Sequence, residues 1–147
     1  MDFLPFTRPT LDEDTIQGVV EVLRSGWITS GPKVKKFEAA LSAYCGGRPV
    51  RVLSSATAGM EIALQLLNIG PGDEVIVPAN TYIASILAIT ENGLKPILVE
   101  PNEASFNLDV QAIRAVITER TRVILPVHLY GRLADMPAIC AIAKEYG

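Results

Sequence analysis

The chain has 147 residues, of which 49% are hydrophobic and 20% are charged, and its formal net charge at pH 7 is -3. This composition is typical of a globular protein with enough apolar mass for one sizeable core. The slight acidity, with no basic cluster larger than Lys33, Lys35 and Lys36, argues against a nucleic-acid partner.

The cysteines and the apolar runs argue against further classes of protein. Cys45 and Cys140 lie far apart, so they give no disulfide framework, and with a single histidine they give no metal-ligand spacing. The segment MDFLPFTRPT lacks the charged stretch and apolar core of a signal peptide. No apolar run approaches membrane-spanning length. We therefore expect a cytoplasmic protein with no metal site and no membrane partner.

Residues 1–25 predict an N-terminal arm and one helix. Two prolines favour an extended arm over residues 1–10. After the arm, Asp12 or Asp14 can cap a helix that Gly26 ends. The apolar residues of this helix recur at helical spacing, at Ile16, Val19, Val20 and Leu23.

A second helix is predicted after the loop GWITSGP, residues 26–32. Pro32 suits the first turn of a helix, where its missing N–H would be unpaired in any case. The pair Gly46-Gly47 is expected to close the helix. The loop carries Trp27, for which a packing role and a place in the wall of a binding site are equally supported.

The stretch VRVLSSATAGMEIALQLL, from Val50 to Leu67, predicts a buried strand, a turn of small residues and a buried helix. We expect the strand at Val50–Leu53 and the turn at Ser54–Gly59. The first N–H groups of a helix have no internal partner, so those at Ala56, Thr57 and Ala58 could bind a phosphate. Taken alone, the stretch is more simply an ordinary strand-to-helix turn.

Three further apolar runs predict strands, each separated from the next by a helix. These runs are Glu74–Pro78, Lys95–Glu100 and Arg122–Val127. The predicted helices begin at Tyr82, at a cap supplied by Asn107 or Asp109, and at Asp135.

Helices and continuous apolar strands in the order α, α, β, α, β, α, β, α, β, α predict an α/β fold. In such a fold a largely parallel sheet is covered on both faces, giving three layers. No linker interrupts residues 1–147, so we expect one domain or a piece of one. Because the alternation calls for another strand after Gly147, we expect the chain to be part of a longer α/β protein.

The residues after each predicted strand suit a flat, phosphorylated ligand, since ligands of open α/β sheets bind at the carboxyl ends of the strands. Thr57 and its neighbours offer N–H groups for the phosphate, and Tyr82 offers a ring. The sequence has no G-x-G-x-x-G and no G-x-x-x-x-G-K-[ST] fingerprint, which argues against a Rossmann dinucleotide site and a P-loop.

His128 follows the last predicted strand and has two interpretations. A lone histidine after a buried strand is slightly more often a satisfied structural residue than a catalytic one. No local cysteine–histidine or serine–histidine pattern supports a nucleophile. His128 is therefore a possible catalytic residue only.

Five segments in this order resemble the N-terminal part of the DegT/DnrJ/EryC1/StrS family of pyridoxal-phosphate (PLP) sugar aminotransferases. They are GWITSGPKVKKFE, SSATAGMEIAL, GPGDEVIVPANTYIAS, LKPILVEP and ILPVHLYGRLADM. The resemblance runs from about Leu4 onward and implies the N-terminal portion of the large domain of a fold-type-I, aspartate-aminotransferase-like enzyme over residues 1–147.

The resemblance implies site residues one by one. Thr57, with Ala56 and Ala58, matches the phosphate-binding segment, although alanine stands where the family usually has glycine. Tyr82 matches the aromatic residue that stacks on the cofactor ring. Thr29 or Ser30 lies in a loop that lines the sugar site in relatives. The family's Schiff-base lysine and the aspartate that pairs with the pyridine nitrogen are expected downstream of residue 147, so none of the catalytic pair is expected here.

The implied activity is transfer of an amino group from an amino acid, glutamate by preference, to a keto group of a nucleotide-linked sugar. Such reactions serve cell-surface polysaccharide or secondary-metabolite sugar biosynthesis. The resemblance also implies a homodimer, and it implies that the 147 residues alone are inactive. Two alternatives stay open, a sugar dehydratase of the same family and a regulatory or binding fragment without catalysis.

Overall fold

The computed structural model describes residues 3–147, which form two compact units, residues 3–52 and 53–147. Met1 and Asp2, the first residues of the predicted arm, lie outside the described part. Residues 3–12 contain no helix or strand and are exposed.

The first unit contains two helices, α1 (Glu13–Ser25) and α2 (Pro32–Tyr44). The carboxylate of Asp12 caps α1 by accepting the N–H of Thr15 at 2.8 Å, and Gly26 ends the helix in the left-handed conformation with φ of 70°. Pro32 begins α2 directly after Gly31. Neither helix contains a fully buried side chain, so in this unit the predicted apolar stripe of α1 stays largely exposed.

The second unit alternates helices with strands. After a first helix, α3, come β1, α4, β2, α5, β3, a single 3-10 turn and α6. Their bounds are α3 Ala56–Gln65, β1 Glu74–Pro78, α4 Ile83–Thr90, β2 Lys95–Val99, α5 Val110–Val116, β3 Thr121–Ile124, the turn Leu129–Gly131 and α6 Met136–Tyr146.

The three strands form a parallel sheet in the order β2-β1-β3. Every residue of β1 is buried, as expected for a central strand with helices on both faces. Ile76 lies opposite Ile97 of β2 and Ile124 of β3. A register shift between Glu74 and Val75 marks an irregularity in the pairing with β3.

Two apolar clusters, one on each face of β1, make the three layers. Ile76 packs with residues of α5 and α6, including Ile113 and Ile142. Val75 and Val77, which alternate with Ile76 along the strand, pack with residues of α3 and α4, Leu64, Ala88 and Ile89 among them. The predicted parallel α/β sheet with helices on both faces is confirmed for this unit.

The predicted strand at Val50–Leu53 was wrong, because these residues form neither helix nor strand. A strand exists only where a neighbour accepts and donates its backbone hydrogen bonds, and none of residues 3–147 pairs with this segment. The N–H of Val52 instead donates to the carboxylate of Glu38 at 3.0 Å. The element order therefore has three consecutive helices before the first strand.

The buried carboxylate of Glu74 joins neighbouring elements at the amino end of the sheet. Glu74, at the start of β1, is only 5% exposed. Its carboxylate accepts the Thr118 hydroxyl at 2.6 Å and pairs with the Lys95 ammonium at 3.0 Å. The Thr118 hydrogen bond, followed by that from Lys95, lowers the pKa of Glu74. One side chain thus links β1 to the start of β2 and to the loop before β3.

The longest helices among residues 3–147 have 13 residues. None of the helices of this part of the chain has the length and apolarity needed to span a membrane.

Candidate functional site

The start of α3 presents backbone N–H groups, as the sequence predicts. Ser55 is the N-cap, and its hydroxyl accepts the N–H of Ala58 at 3.1 Å. The N–H of Gly59 bonds the Ser55 carbonyl at 3.1 Å. Among the hydrogen bonds of residues 3–147, none involves the N–H of Ala56 or that of Thr57. Two of the three predicted donors are therefore available, and the third, Ala58, is engaged by the cap.

This end of α3 fits a phosphate group. Thr57 adds a hydroxyl that has no hydrogen-bond partner among the described residues and is only partly buried. Two adjacent amides, one hydroxyl and the positive end of the helix dipole are the donor set that binds phosphate at helix starts. Ala56 is exposed and Thr57 is partly buried.

Tyr82 stands at the carboxyl end of β1, as the N-cap residue of α4. Its side chain is 78% exposed, so a face of the ring is available to a flat ligand. The turn before it is held by Thr81, whose hydroxyl shares a 2.8 Å hydrogen bond with buried Ser85. The Tyr82 ring therefore belongs to a turn that the hydrogen bond between Thr81 and Ser85 holds in place.

Hydrogen bonds between side chains and main chain join the loops at the carboxyl edge of the sheet. Asn80, after β1, donates to the carbonyl of Phe106 in the loop after β2 at 3.0 Å. The next residue, Asn107, is 3% exposed and joins that loop to the segment after β3. Its amide donates to the Arg132 carbonyl at 2.9 Å and accepts the N–H of Leu129 at 3.0 Å.

The sequence offers Asn107 and Asp109 as caps for α5. The structure shows Asp109 in that position, where its carboxylate accepts the N–H groups of Gln111 and Ala112. These bonds, the one from Ala112 foremost, lower the pKa of Asp109. The bridging role of Asn107 was missed because its partners lie 22 and 25 residues further along the chain, beyond any local pattern. An asparagine two residues before the capping Asp109 was the one available signal.

Two residues of these loops adopt left-handed backbone conformations that non-glycine residues rarely take. Phe106 has φ of 58° and Tyr130 has φ of 53°. Such conformations cost of order 1–3 kcal/mol and persist where surrounding contacts enforce them. Here the bonds of Asn80 and Asn107 hold both segments, so the shape of this edge is fixed by the fold.

His128 lies between β3 and the 3-10 turn and is exposed. Its Nδ1 accepts the N–H of Ala134 at 3.1 Å. The structural role that the sequence favours is thus present, since Ala134 is only 4% exposed and its N–H needs a partner. Tyr82, His128 and the joined loops all follow the carboxyl ends of strands in one parallel sheet.

Thr29 and Ser30 belong to the first unit, where both are exposed. The carbonyl of Ser30 accepts the indole N–H of Trp27 at 3.0 Å. A Cβ at Gly31 would clash with the indole ring of Trp27, so glycine lets the ring lie over this position. The loop is thus folded around Trp27, which is 58% exposed.

The described residues also contain no group of three or more histidine, cysteine, aspartate or glutamate side chains placed to hold a metal ion. The donors that the site does offer are N–H and hydroxyl groups, which suit an anion.

A comparison with known protein families identifies the family of the chain. The sequence pattern of the DegT/DnrJ/EryC1/StrS aminotransferase family matches residues 9–147. The chain belongs to this family. Its resemblance to the family, inferred from five motifs, is confirmed.

A curated relative and several solved structures are similar to the chain. It is 45% identical over 145 residues to a UDP-4-amino-4-deoxy-L-arabinose--oxoglutarate aminotransferase from Shewanella sediminis, covering 99% of this chain and 37% of that protein. Spr1654 of Streptococcus pneumoniae, solved in PLP, PMP and apo forms, superposes with a TM-score of 0.90 at 44% identity, over 97% of this chain and 36% of that one. NtdA of Bacillus subtilis, solved with bound PMP, gives a TM-score of 0.85 at 44% identity, over 91% and 31%.

These structures have the fold-type-I aminotransferase architecture, and this family member shows a partial α/β domain of it. The chain spans about 37% of the length of the curated relative.

Proposed function

We propose that this family member contributes to a PLP-dependent aminotransferase that moves an amino group from glutamate to a keto group of a nucleotide-linked sugar. The observation that carries the proposal is the start of α3, where the N–H groups of Ala56 and Thr57 are unpaired among the described residues. The relative from Shewanella sediminis, named for a UDP-linked amino sugar and oxoglutarate, supports the substrate class. Oxoglutarate is the keto acid that glutamate becomes when it gives up its amino group.

The residues of this chain have binding and orienting roles in the proposal. Ala56 and Thr57 would hold the cofactor phosphate through their amides and the Thr57 hydroxyl, while Ala58 would keep the helix start in place through Ser55. Tyr82 would pack its ring on the cofactor ring. When bound, PLP supplies the electron sink that amino transfer requires. Thr29 and Ser30 are proposed to contact the sugar.

The lysine and the aspartate that the family uses are not matched within residues 1–147, so we propose that these residues bind the cofactor without turning over substrate. The proposal also includes a homodimer and a cytoplasmic location. The homodimer rests on the family resemblance, and the cytoplasmic location rests on the cysteine usage and the absence of signal-peptide character in MDFLPFTRPT.

The cofactor site is tested with Thr57→Val, which keeps the shape of the side chain and removes its hydroxyl. A hydrogen bond to a charged group contributes about 1–3 kcal/mol, so the dissociation constant of PLP should rise roughly 5- to 150-fold. The constant is measured by absorbance titration. Thr90→Val is the matched control, since its hydroxyl bonds carbonyls at the far end of α4 and its loss should leave PLP binding unchanged.

Equal affinity in Thr57→Val and the unaltered chain would contradict the phosphate assignment. The reaction itself is tested in the full-length enzyme that carries these residues. There, glutamate and a UDP-linked keto sugar should give oxoglutarate and a UDP-linked amino sugar in equal amounts. Formation of a dehydrated sugar without oxoglutarate would overturn the proposed reaction.

A further inference from the structure

The hydrogen bond between His128 and Ala134 determines which ring nitrogen carries the proton. Nδ1 of His128 accepts the Ala134 N–H at 3.1 Å, and a nitrogen that accepts a hydrogen bond carries no proton of its own. The neutral imidazole is therefore protonated at Nε2. Because the acceptor serves a buried backbone amide, reversing this arrangement would leave that amide unpaired.

The other nitrogen is free to bind a ligand. Nε2 has no hydrogen-bond partner among the described residues, and the His128 side chain is exposed. A neutral histidine in this state presents one N–H donor and no free acceptor. It can hold an oxygen atom of a ligand, but it cannot take a proton at Nδ1 without breaking its bond to Ala134.

The backbone that follows His128 is held at two points. Asn107 accepts the N–H of Leu129 and donates to the Arg132 carbonyl, and between these points Tyr130 is kept in its left-handed conformation. The segment follows β3, which pairs directly with β1. Because parallel strands end at the same edge, His128 and Tyr82 both lie in loops of the edge where α/β proteins bind ligands.

We propose that His128 is a fixed hydrogen-bond donor that binds an oxygen atom of the phosphorylated ligand through Nε2–H, and that it is neither a general acid nor a general base. This inference rests on the proposed function, because the ligand edge is the one assigned there to the cofactor. The oxygen belongs either to the phosphate or to the ring substituents of the pyridoxal, and both accept the same bond. Ala134 and Asn107 are positioning groups for this donor.

The first test is the tautomer of His128, read by 15N NMR of the full chain at a pH high enough to keep the imidazole neutral. Since His128 is the only histidine, its two ring nitrogens can be assigned without ambiguity. Nδ1 is expected to show the pyridine-type shift of an unprotonated nitrogen and Nε2 the shift of an N–H. A proton on Nδ1 would overturn the proposal, whatever the ligand does.

The second test adds PLP, pyridoxal and inorganic phosphate in separate titrations. The Nε2–H resonance is expected to move with PLP and with one of the other two, which identifies the oxygen that is bound. The amide signals of Ala56 and Thr57 report the proposed cofactor site in the same spectra. Movement of those amides with His128 unchanged would overturn this inference alone, whereas no response from either would count against this inference and the cofactor site together.

Two variants separate the donor from the structural role. His128→Gln can accept the Ala134 N–H and still donate, whereas His128→Glu can only accept. Both should unfold at about the same temperature if acceptance of that N–H is all that the fold needs. We expect His128→Gln to bind pyridoxal phosphate within about threefold of the unaltered chain and His128→Glu to bind it at least about tenfold more weakly.

The negative charge of glutamate also repels phosphate, so the same comparison is made with pyridoxal, which lacks the phosphate. A loss in His128→Glu without the matching shift of Nε2–H in the NMR titration would reflect repulsion and would overturn the donor role. Equal binding by the two variants would overturn it as well.

Discussion

Tyr82 is the exposed aromatic residue that we propose stacks on the cofactor ring. At 78% exposure, it contributes little packing to the described unit, so its replacement should affect ligand binding more than stability. Tyr82→Ala is expected to weaken PLP binding by about two- to thirteenfold, since aromatic stacking contributes about 0.5–1.5 kcal/mol. Tyr82→Phe keeps the ring and should change binding by less than about twofold. Fluorescence titration measures both.

The control for Tyr82 is Tyr146→Ala, because Tyr146 is another exposed tyrosine, in the last turn of α6. PLP affinity should not change in that variant. If Tyr82→Ala bound the cofactor as tightly as the unaltered chain, the stacking assignment would be wrong.

The donors at the start of α3 show how far residue-level prediction reaches. From the sequence we predict three free N–H donors at this helix start, those of Ala56, Thr57 and Ala58, because the first N–H groups of any helix have no partner within the helix. The structure confirms the helix start and shows that Ser55 uses one of these groups, the N–H of Ala58. The Ser55 side-chain rotamer determines that the N–H of Ala58 is the one engaged. The small-residue composition of the turn does not predict that rotamer.

Helix boundaries were well predicted because local chemistry sets them. Asp12, Asp109 and Asp135 each cap a helix through a carboxylate that accepts backbone N–H groups within three residues. Such contacts depend on adjacent residues only. The sequence could not choose between Asn107 and Asp109 for α5, because both residue types cap helices equally well.

Strands depend on distant partners, and here prediction was weaker. Glu74–Pro78 was predicted with its observed bounds, since a fully buried apolar run suits a central strand. Val50–Leu53 has the same apolar character, yet it is not paired with any strand among residues 3–147. Hydrophobicity indicates that a segment can be buried, but the segment becomes a strand only where a neighbouring strand pairs with its backbone. The bonds of Asn80 and Asn107 between loops escaped prediction for the same reason.

The ion pair at the start of β1 gives the sheet a pH dependence. The bond from Thr118, and then that from Lys95, lowers the pKa of Glu74 from the ordinary value of 4.5. The folded state therefore binds this proton less readily than the unfolded state. The stabilisation by Glu74 is fully present above about pH 4.5 and is lost as the pH falls through the lower, folded pKa.

Urea unfolding at pH 7 and at successively lower pH measures this dependence. Glu74→Gln should lower the free energy of unfolding at pH 7, and its stability should fall less steeply on acidification than that of the unaltered chain. Glu119→Gln serves as the control, because Glu119 is exposed and forms no ion pair among the described residues. Identical pH slopes for Glu74→Gln and the unaltered chain would contradict the assignment.

At the scale of the molecule, burial is concentrated in the second unit. Every fully buried hydrophobic residue among residues 3–147 lies between Leu64 and Ile142. The first unit keeps large apolar side chains exposed, including Val19, Leu23 and Phe37. Because burial of apolar surface is the main favourable term in folding, the sheet and its four helices carry most of the stability of the described residues.

We expect the 147 residues by themselves to bind PLP and not to transaminate. That reaction needs a lysine that reaches the cofactor and a carboxylate that holds the ring nitrogen protonated. Lys95 begins β2, at the edge of the sheet opposite the ligand edge, and its ammonium is paired with Glu74 at 3.0 Å. Lys33 is paired with Glu21 in the first unit. The remaining lysines lie on α2 or in the last turn of α6, at Lys35, Lys36 and Lys144.

The measurement is to add PLP to the purified chain, reduce with borohydride and locate any adduct by peptide mass spectrometry, while oxoglutarate formation from glutamate is assayed in parallel. We expect weak, scattered labelling of exposed lysines and no turnover. Lys95→Arg keeps the ion pair with Glu74 and removes the amine nearest to the sheet, so it should leave the labelling pattern of the other lysines unchanged. A stable adduct on one lysine, together with turnover of glutamate, would show that these residues form a complete catalytic site and would overturn the prediction.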